Sequence, residues 1–343
     1  MIDYKALSKT FNEDGIYALQ LEAGDVCYQN CTYCYMNALH EEVNTLTDRQ
    51  ISEILDDSAR LGIKAIEWLG GEPLLRESIY RHMEHAAGLG LRNNIWTGGL
   101  PFENEETLEK ISRLARHGLI SFHISTIDPE IYRKMHPERP VSDINTIVGG
   151  VQKLMELGYP ADQMINSVTY TGLQPAGDMI RTIDFFEENY GVKTSMNIYH
   201  TYLRPGMDNS DLQRFIPDKK ETAEVYKRYN KQWGVKQMPM NCVNKEYCSA
   251  TAAILNNGAV TPCATIRDEN APNIHTDGSF YEIAVKNRDY LVFKELKNEE
   301  NLPEQCKTCR INDQCWGCRS RAYAADMGMP GPDPRCFRAK EKS

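Results

Sequence analysis

The sequence predicts an α/β fold: a parallel sheet built from successive βα units, followed by a smaller domain held by cysteines. Two observations predict it. Between residues 16 and 199, short β-branched apolar runs alternate with segments of helical periodicity, the pattern of βα units feeding a parallel sheet. Beyond residue 234 the long periodic segments stop, Gly and Pro punctuate the chain, and eight of the eleven cysteines crowd together, as expected where metal rather than a large apolar core holds the polypeptide. We therefore divide the chain into residues 1–233 and 234–343.

Six strands are expected, near Tyr17 to Glu22, Ala65 to Leu69, Asn94 to Thr97, Leu119 to Thr126, Met164 to Tyr170 and Val192 to Tyr199. Between the first two, Thr47 with Gln50 three residues on forms a capping box, and Ile51, Ile54, Leu55 and Ala59 then share one face until Gly62 ends the helix. Ile144, Ile147, Val148, Val151, Leu154 and Met155 repeat at helical spacing until Gly158 and Pro160. After Tyr199, Arg204-Pro-Gly and the stretch Met207 to Lys220 read as loop, and Glu221 to Trp233 as a helix.

The N-terminus carries charges and no apolar run of signal-peptide type, and no stretch approaches the roughly 18 apolar residues of a membrane span. The net charge is -9 and no basic run interleaves with aromatics, which argues against a nucleic-acid groove. The expectation is a cytoplasmic protein with neither membrane nor nucleic acid as partner. In that setting an odd number of cysteines at C-x2-C spacing points to metal ligands rather than disulfides.

The cysteines sort as three and eight. Cys27, Cys31 and Cys34 stand alone in the spacing C-x3-C-x2-C directly after the first strand, in the loop at the strand end that carries active sites in βα barrels. Four thiolates saturate a four-iron cluster or a zinc ion; three leave a position free for something that reacts. A zinc site completed by a histidine such as His40 is the alternative. Cys242, Cys248, Cys263, Cys306, Cys309, Cys315, Cys318 and Cys336 make two closed sets of four, or two zinc ribbons.

With Tyr33 before its third cysteine, the C-x3-C-x-aromatic-C segment resembles the signature of the radical S-adenosylmethionine (SAM) enzymes. Gly70-Gly71-Glu72-Pro73, closing the second strand, is similar to the segment that holds the methionine ammonium of SAM in that family, where glycine lets backbone groups reach a ligand. The resemblance implies a partial (β/α)6 TIM-like barrel in which a [4Fe-4S] cluster on Cys27, Cys31 and Cys34 binds SAM. Reductive cleavage of SAM would then give a 5'-deoxyadenosyl radical that abstracts a substrate hydrogen. It also implies strand-end contacts to SAM, for which Ser125, Asn166, Ser167 and Asn197 are the candidates by position. His123, on an apolar run, reads as a packed core histidine.

The last-third cysteines resemble the SPASM extension of radical SAM enzymes, with one departure: the final internal spacing is x2 where the family usually has x3. Carried over by position, one auxiliary cluster takes Cys242, Cys248, Cys263 and Cys318 and the other Cys306, Cys309, Cys315 and Cys336, three [4Fe-4S] clusters in all. The resemblance implies an anaerobic oxidoreductase or maturase that oxidatively modifies a peptide or protein side chain. The alternative is the same machinery acting on a small molecule, as a sugar or tetrapyrrole dehydrogenase or decarboxylase.

A flavodoxin or ferredoxin is the implied electron donor. Only 26 residues precede Cys27, so a leader peptide would need a separate leader-peptide-binding protein. Sulfatase-maturating members have an aspartate immediately after the cysteine corresponding to Cys263, where this chain has Ala264, which argues against formylglycine formation. As general base, Asp268, Glu269 and His275 are the candidates, in a loop after Cys263 that could face the barrel.

Overall fold

A computed structural model describes residues 2–38, 40, 45–200, 209–240 and 242–338, with the side chains of 209–211 left out. Eight strands form one sheet: β1 Ala18–Glu22, β2 Ala65–Leu69, β3 Arg92–Trp96, β4 Leu119–Phe122, β5 Met164–Tyr170, β6 Lys193–Ile198, β7 Thr251–Ile254 and β8 Val260–Thr261. Their order is β6-β5-β4-β3-β2-β1-β7-β8. Pairing is parallel from β6 through to β7, and only β8 runs antiparallel. The six expected strands are all present, and β6 and β8 end the sheet without meeting, which leaves the barrel partial.

Helices cross over between the strands: α1 Tyr4–Asn12 precedes β1, then come α2 Asp48–Arg60, α3 Ile79–Gly88, α4 Glu105–Leu114, α5 Pro129–Met135, α6 Ser142–Glu156, α7 Ala176–Tyr190, α8 Asn209–Phe215 and α9 Lys219–Gln232. The Thr47–Gln50 capping box forms, and Gly62 leaves α2 at φ +79°, a conformation cheap for glycine alone. Met155, expected in the α6 core stripe, is instead exposed, because the stripe curls away at the last turn. Asn209–Phe215 is helical within the stretch expected as loop; Arg204 to Gly206 lie outside the described residues.

The apolar core fills the space between the sheet and the crossover helices. Leu19, Leu21, Ile66, Trp68, Ile95, Ile120 and Phe122 point outward into it, each such side chain contributing about 1.5–3 kcal/mol by burial. Strand alternation then sends Gln20, Glu67, Asn94, Ser121, His123, Ser167 and Asn197 to the other side. The barrel interior is therefore polar. The 233/234 division does not interrupt the sheet, since β7 and β8 from the cysteine-rich segment add to its β1 edge through Ala18↔Thr251 and the pairs that follow.

Candidate functional site

Cys27, Cys31 and Cys34 lie on the loop after β1, over the C-terminal strand ends. The loop is fastened from below. Gly71 N–H donates to the Gly24 carbonyl at 3.0 Å and Glu72 N–H to that of Val26 at 2.6 Å, so the segment after β2 clamps the base of the cysteine loop. The glycines make this possible: a Cβ on Gly70 would stand 2.3 Å from the Gly24 oxygen, and one on Gly71 2.3 Å from that of Val26. Their need is backbone-on-backbone approach within the protein.

Glu72 turns its carboxylate inward. It accepts from Thr97 Oγ1 at 2.7 Å, Gly98 N–H at 2.7 Å and Leu74 N–H at 3.1 Å, and burial pushes its pKa up to about 7. The side chain ties the ends of β2 and β3 together, leaving backbone to face the loop. Burial, with the Glu72 carboxylate next, pushes the Cys27 thiol up to about 12. A cavity of about 470 Å³ opens here, lined by Cys27, Tyr28, Gln29, Glu72, Leu100 and Arg139.

Tyr33 is buried and reaches inward between two histidines. Its hydroxyl lies 2.7 Å from His123 Nε2, 3.3 Å from Ser125 Oγ and 3.4 Å from His136 Nε2. Burial lowers His123 to about 4; burial and then His123 lower His136 to about 3, so both rings are neutral near pH 7. His123 is thus not the packed core histidine expected: standing directly after β4, it turns to the interior side. His136 had no sequence signal, standing just after α5 in no motif.

The strand-end candidates divide. Ser125 faces the interior beside Tyr33 and His123. Ser167 faces inward too, its carbonyl taken by His123 Nδ1–H at 2.6 Å. Asn197 faces inward with a buried Oδ1 that has no partner among the described residues. Asn166 does not serve as proposed: it lies on the outer face, its amide spent on the Ile124 N–H and carbonyl, each at 2.9 Å. Sequence reasoning missed Trp96 and Ser121, whose Nε1 and Oγ are also buried on the interior face and unpartnered among the described residues.

The base candidates after Cys263 are corrected by position. Asp268 accepts from Tyr290 Oη at 2.9 Å, Glu269 is exposed, and His275 sits outside at the start of α2, its Nδ1 2.9 Å from Gln50 Nε2. The barrel floor instead holds Glu67, which accepts from Tyr247 Oη and, at 2.9 Å, from Gln20 Nε2. Burial raises its pKa. From the Cys263 loop, Arg267 does reach the barrel rim, where it grips Glu22 at 2.9 and 2.6 Å with Tyr35 5.2 Å below its guanidinium.

The other eight thiols gather in two places. Cys242 and Cys248 are raised far above the ordinary thiol range, by burial first and then by neighbouring thiols, Cys263 and Cys318 in both cases; burial sets Cys263 at about 11. Cys306, pushed up to about 12 by burial against the opposing Arg319, has Cys315, Cys336 and Cys309 as its thiol neighbours. Sulfurs packed this tightly stay protonated unless a cation joins them, so the donor sets fit metal clusters. His40, the proposed fourth zinc ligand, is exposed and stacks on Tyr28 at 6.4 Å.

Known proteins agree with this architecture. Residues 21–186 match the radical SAM superfamily. A probable GTP 3',8-cyclase from Methanococcus aeolicus is 25% identical over 286 residues, 78% of this chain and 91% of the relative; a GTP 3',8-cyclase from Haemophilus influenzae is 26% identical over 162 residues, 46% of each. Among solved structures, Streptococcus suis SuiB bound to precursor peptide SuiA superposes with a TM-score of 0.66 at 16% identity, covering 98% of this chain and 80% of SuiB. Native anSMEcpe with bound AdoMet and Cp18Cys peptide gives 0.64 at 16% identity, covering 89% of each. Among the described residues no helix is long and apolar enough to cross a membrane.

Proposed function

This chain is a radical SAM enzyme, with its radical SAM domain at residues 21–186 and SAM and a [4Fe-4S] cluster as cofactors; from that premise we propose that it oxidatively modifies a peptide or protein side chain with the help of two auxiliary [4Fe-4S] clusters. The observation that carries the reading is the gathering of Cys242, Cys248, Cys263 and Cys318 in one place and Cys306, Cys309, Cys315 and Cys336 in another. In this reading residues 1–233 cleave SAM and residues 234–343 hold the auxiliary clusters. SAM on a reduced cluster supplies the 5'-deoxyadenosyl radical that takes a hydrogen atom from the substrate.

The chain's own residues do the rest. Cys27, Cys31 and Cys34 hold the cluster, and the Gly70–Pro73 clamp fixes their loop and presents backbone to the SAM amino acid. Trp96 Nε1, Ser121 Oγ and Asn197 Oδ1, unpartnered in a polar interior, are free to orient ligands there, since a buried polar atom left unpaired costs about 1–3 kcal/mol. The Arg267–Glu22 pair at the rim and Glu67 at the floor bound the chamber and limit water.

A small-molecule substrate is the second reading, favoured by the GTP 3',8-cyclases among the sequence relatives. One experiment separates the two. Anaerobically purified protein, expected to carry roughly twelve irons per chain, is analysed for iron and incubated with SAM and reductant, and 5'-deoxyadenosine is scored with candidate precursor peptides and with GTP. Peptide-dependent product supports the first reading; GTP turnover with an iron content near eight overturns it.

A further inference from the structure

We propose that Cys31, His123 and His136 form a mononuclear zinc site in the chain before its iron–sulfur cluster is installed. The three ligand atoms, Cys31 Sγ and two imidazole nitrogens, all lie within 4.8 Å of one another. They come from three separate segments, the cysteine loop, the end of β4 and the loop after α5, so their convergence is a property of the fold. A tetrahedral zinc ion with bonds of about 2.0–2.3 Å holds such donors roughly 3.3–3.8 Å apart, which asks for a closure of about 1 Å.

Both rings are set for it. His123 donates its Nδ1–H to the Ser167 carbonyl at 2.6 Å and His136 donates its own to the Gln29 carbonyl at 3.0 Å. A carbonyl only accepts, so each Nδ1 carries the proton and each Nε2 presents a lone pair. Ligand histidines are oriented in this way, by a backbone carbonyl on the far nitrogen. The two Nε2 lone pairs converge on Tyr33 Oη, 2.7 and 3.4 Å away, so the ion takes the place of this phenol, which swings aside and leaves the fourth corner to water. One thiolate and two imidazoles suit zinc over ferrous iron.

Cys27 and Cys34 take no part, and this separates the site from the three-cysteine cluster. The zinc site itself rests on these three side chains alone. Its consequence rests on the function proposed above: Cys31 cannot serve both metals, so zinc that arrives first blocks the catalytic cluster.

The test is cobalt(II) titration of the cluster-free, reduced full chain, read by d–d and thiolate charge-transfer absorption. Cys31→Ala, His123→Ala and His136→Ala should each lose about one equivalent, the component with a single sulfur and two nitrogens, while Cys27→Ala and Cys34→Ala keep it. Cobalt retained at the eight C-terminal thiols in every variant reports that the fold survives. An unchanged titration in both histidine variants, or loss of the component in Cys27→Ala, overturns the site. If it stands, zinc preloading should suppress the SAM-sensitive paramagnetic signal on iron–sulfide reconstitution; a protein that never shows that signal, even without zinc, refutes the cluster reading and leaves the cobalt result intact.

Discussion

Arg321 and Asp333 form a fully buried, two-pronged ion pair, with Nε to Oδ1 at 3.0 Å and Nη2 to Oδ2 at 2.7 Å. The guanidinium also donates to the Ile198 carbonyl at the end of β6 and to that of Met240, and Asp333 accepts the Cys318 N–H at 2.9 Å. One pair thus joins the last barrel strand to the loops that carry Cys318 and Cys336. Burial works against the Asp333 carboxylate, yet Arg321 and the backbone donors hold its pKa below the usual carboxylate range.

Removing one partner leaves the other charge buried alone. Asp333→Ala should cost about 3–5 kcal/mol, seen as a large fall in the denaturant midpoint. The double change Arg321→Met with Asp333→Leu should cost less than Asp333→Ala, because no uncompensated charge remains. An equal or greater loss in the double variant would show that the pair itself is net stabilising.

Gly71→Ala places a methyl against the Val26 carbonyl and forces the cysteine loop off β2. On the three-cluster proposal the outcome expected is selective: iron falls from roughly twelve to roughly eight per chain, SAM cleavage is lost, and the eight C-terminal thiols keep their metal. Iron analysis and electron paramagnetic resonance check it.

Asn166 and Asn197 should behave oppositely. Asn166→Ala breaks two bonds to Ile124 and should lower stability by about 1–3 kcal/mol with SAM affinity kept. Asn197→Ala should leave the melting temperature nearly unchanged and weaken SAM or substrate binding by roughly tenfold, about 1.4 kcal/mol. Thermal melts beside equilibrium binding of SAM distinguish them.

Acid should weaken the fold at the junction of α2 and α3. Burial holds His82 below its ordinary 6.5 in spite of Asp48, so the stability tied to its neutral ring is whole above pH 6.5 and is lost as pH falls through the folded value. Asp48 resists its own partial burial through Ser78, Arg76 and His82 and is depressed. Its contribution is present above its ordinary 3.8 and drains at lower pH. His82→Gln should therefore flatten the upper part of the melting-temperature profile and leave the lower part.

Local chemistry made much of the barrel legible. The β2 run Ala65–Leu69 and the β5 run Met164–Tyr170 have the bounds expected from their apolar patterns, and Thr47 with Gln50 marked the α2 start. Parity within a strand was readable but not used: counting alternate residues along β5 from the core-facing Val168 puts Asn166 outside and Ser167 inside. The hairpin β7–β8 has a sequence signal in Asn257-Gly258 between two apolar runs, but its strands are short and lie among cysteines whose spacing points to metal. His136 was beyond reach, since its meeting with Cys31 depends on where α5 packs.

The pairing of β7 with β1 sets an order of assembly. Residue 18 is synthesised well before its partner, residue 251, so the β1 edge stays open while the residues between them are made. An open edge invites pairing with another molecule. The C-terminal segment is therefore the piece that covers this edge of the partial barrel. Cutting the chain at residue 233 should release an aggregating fragment rather than a smaller enzyme.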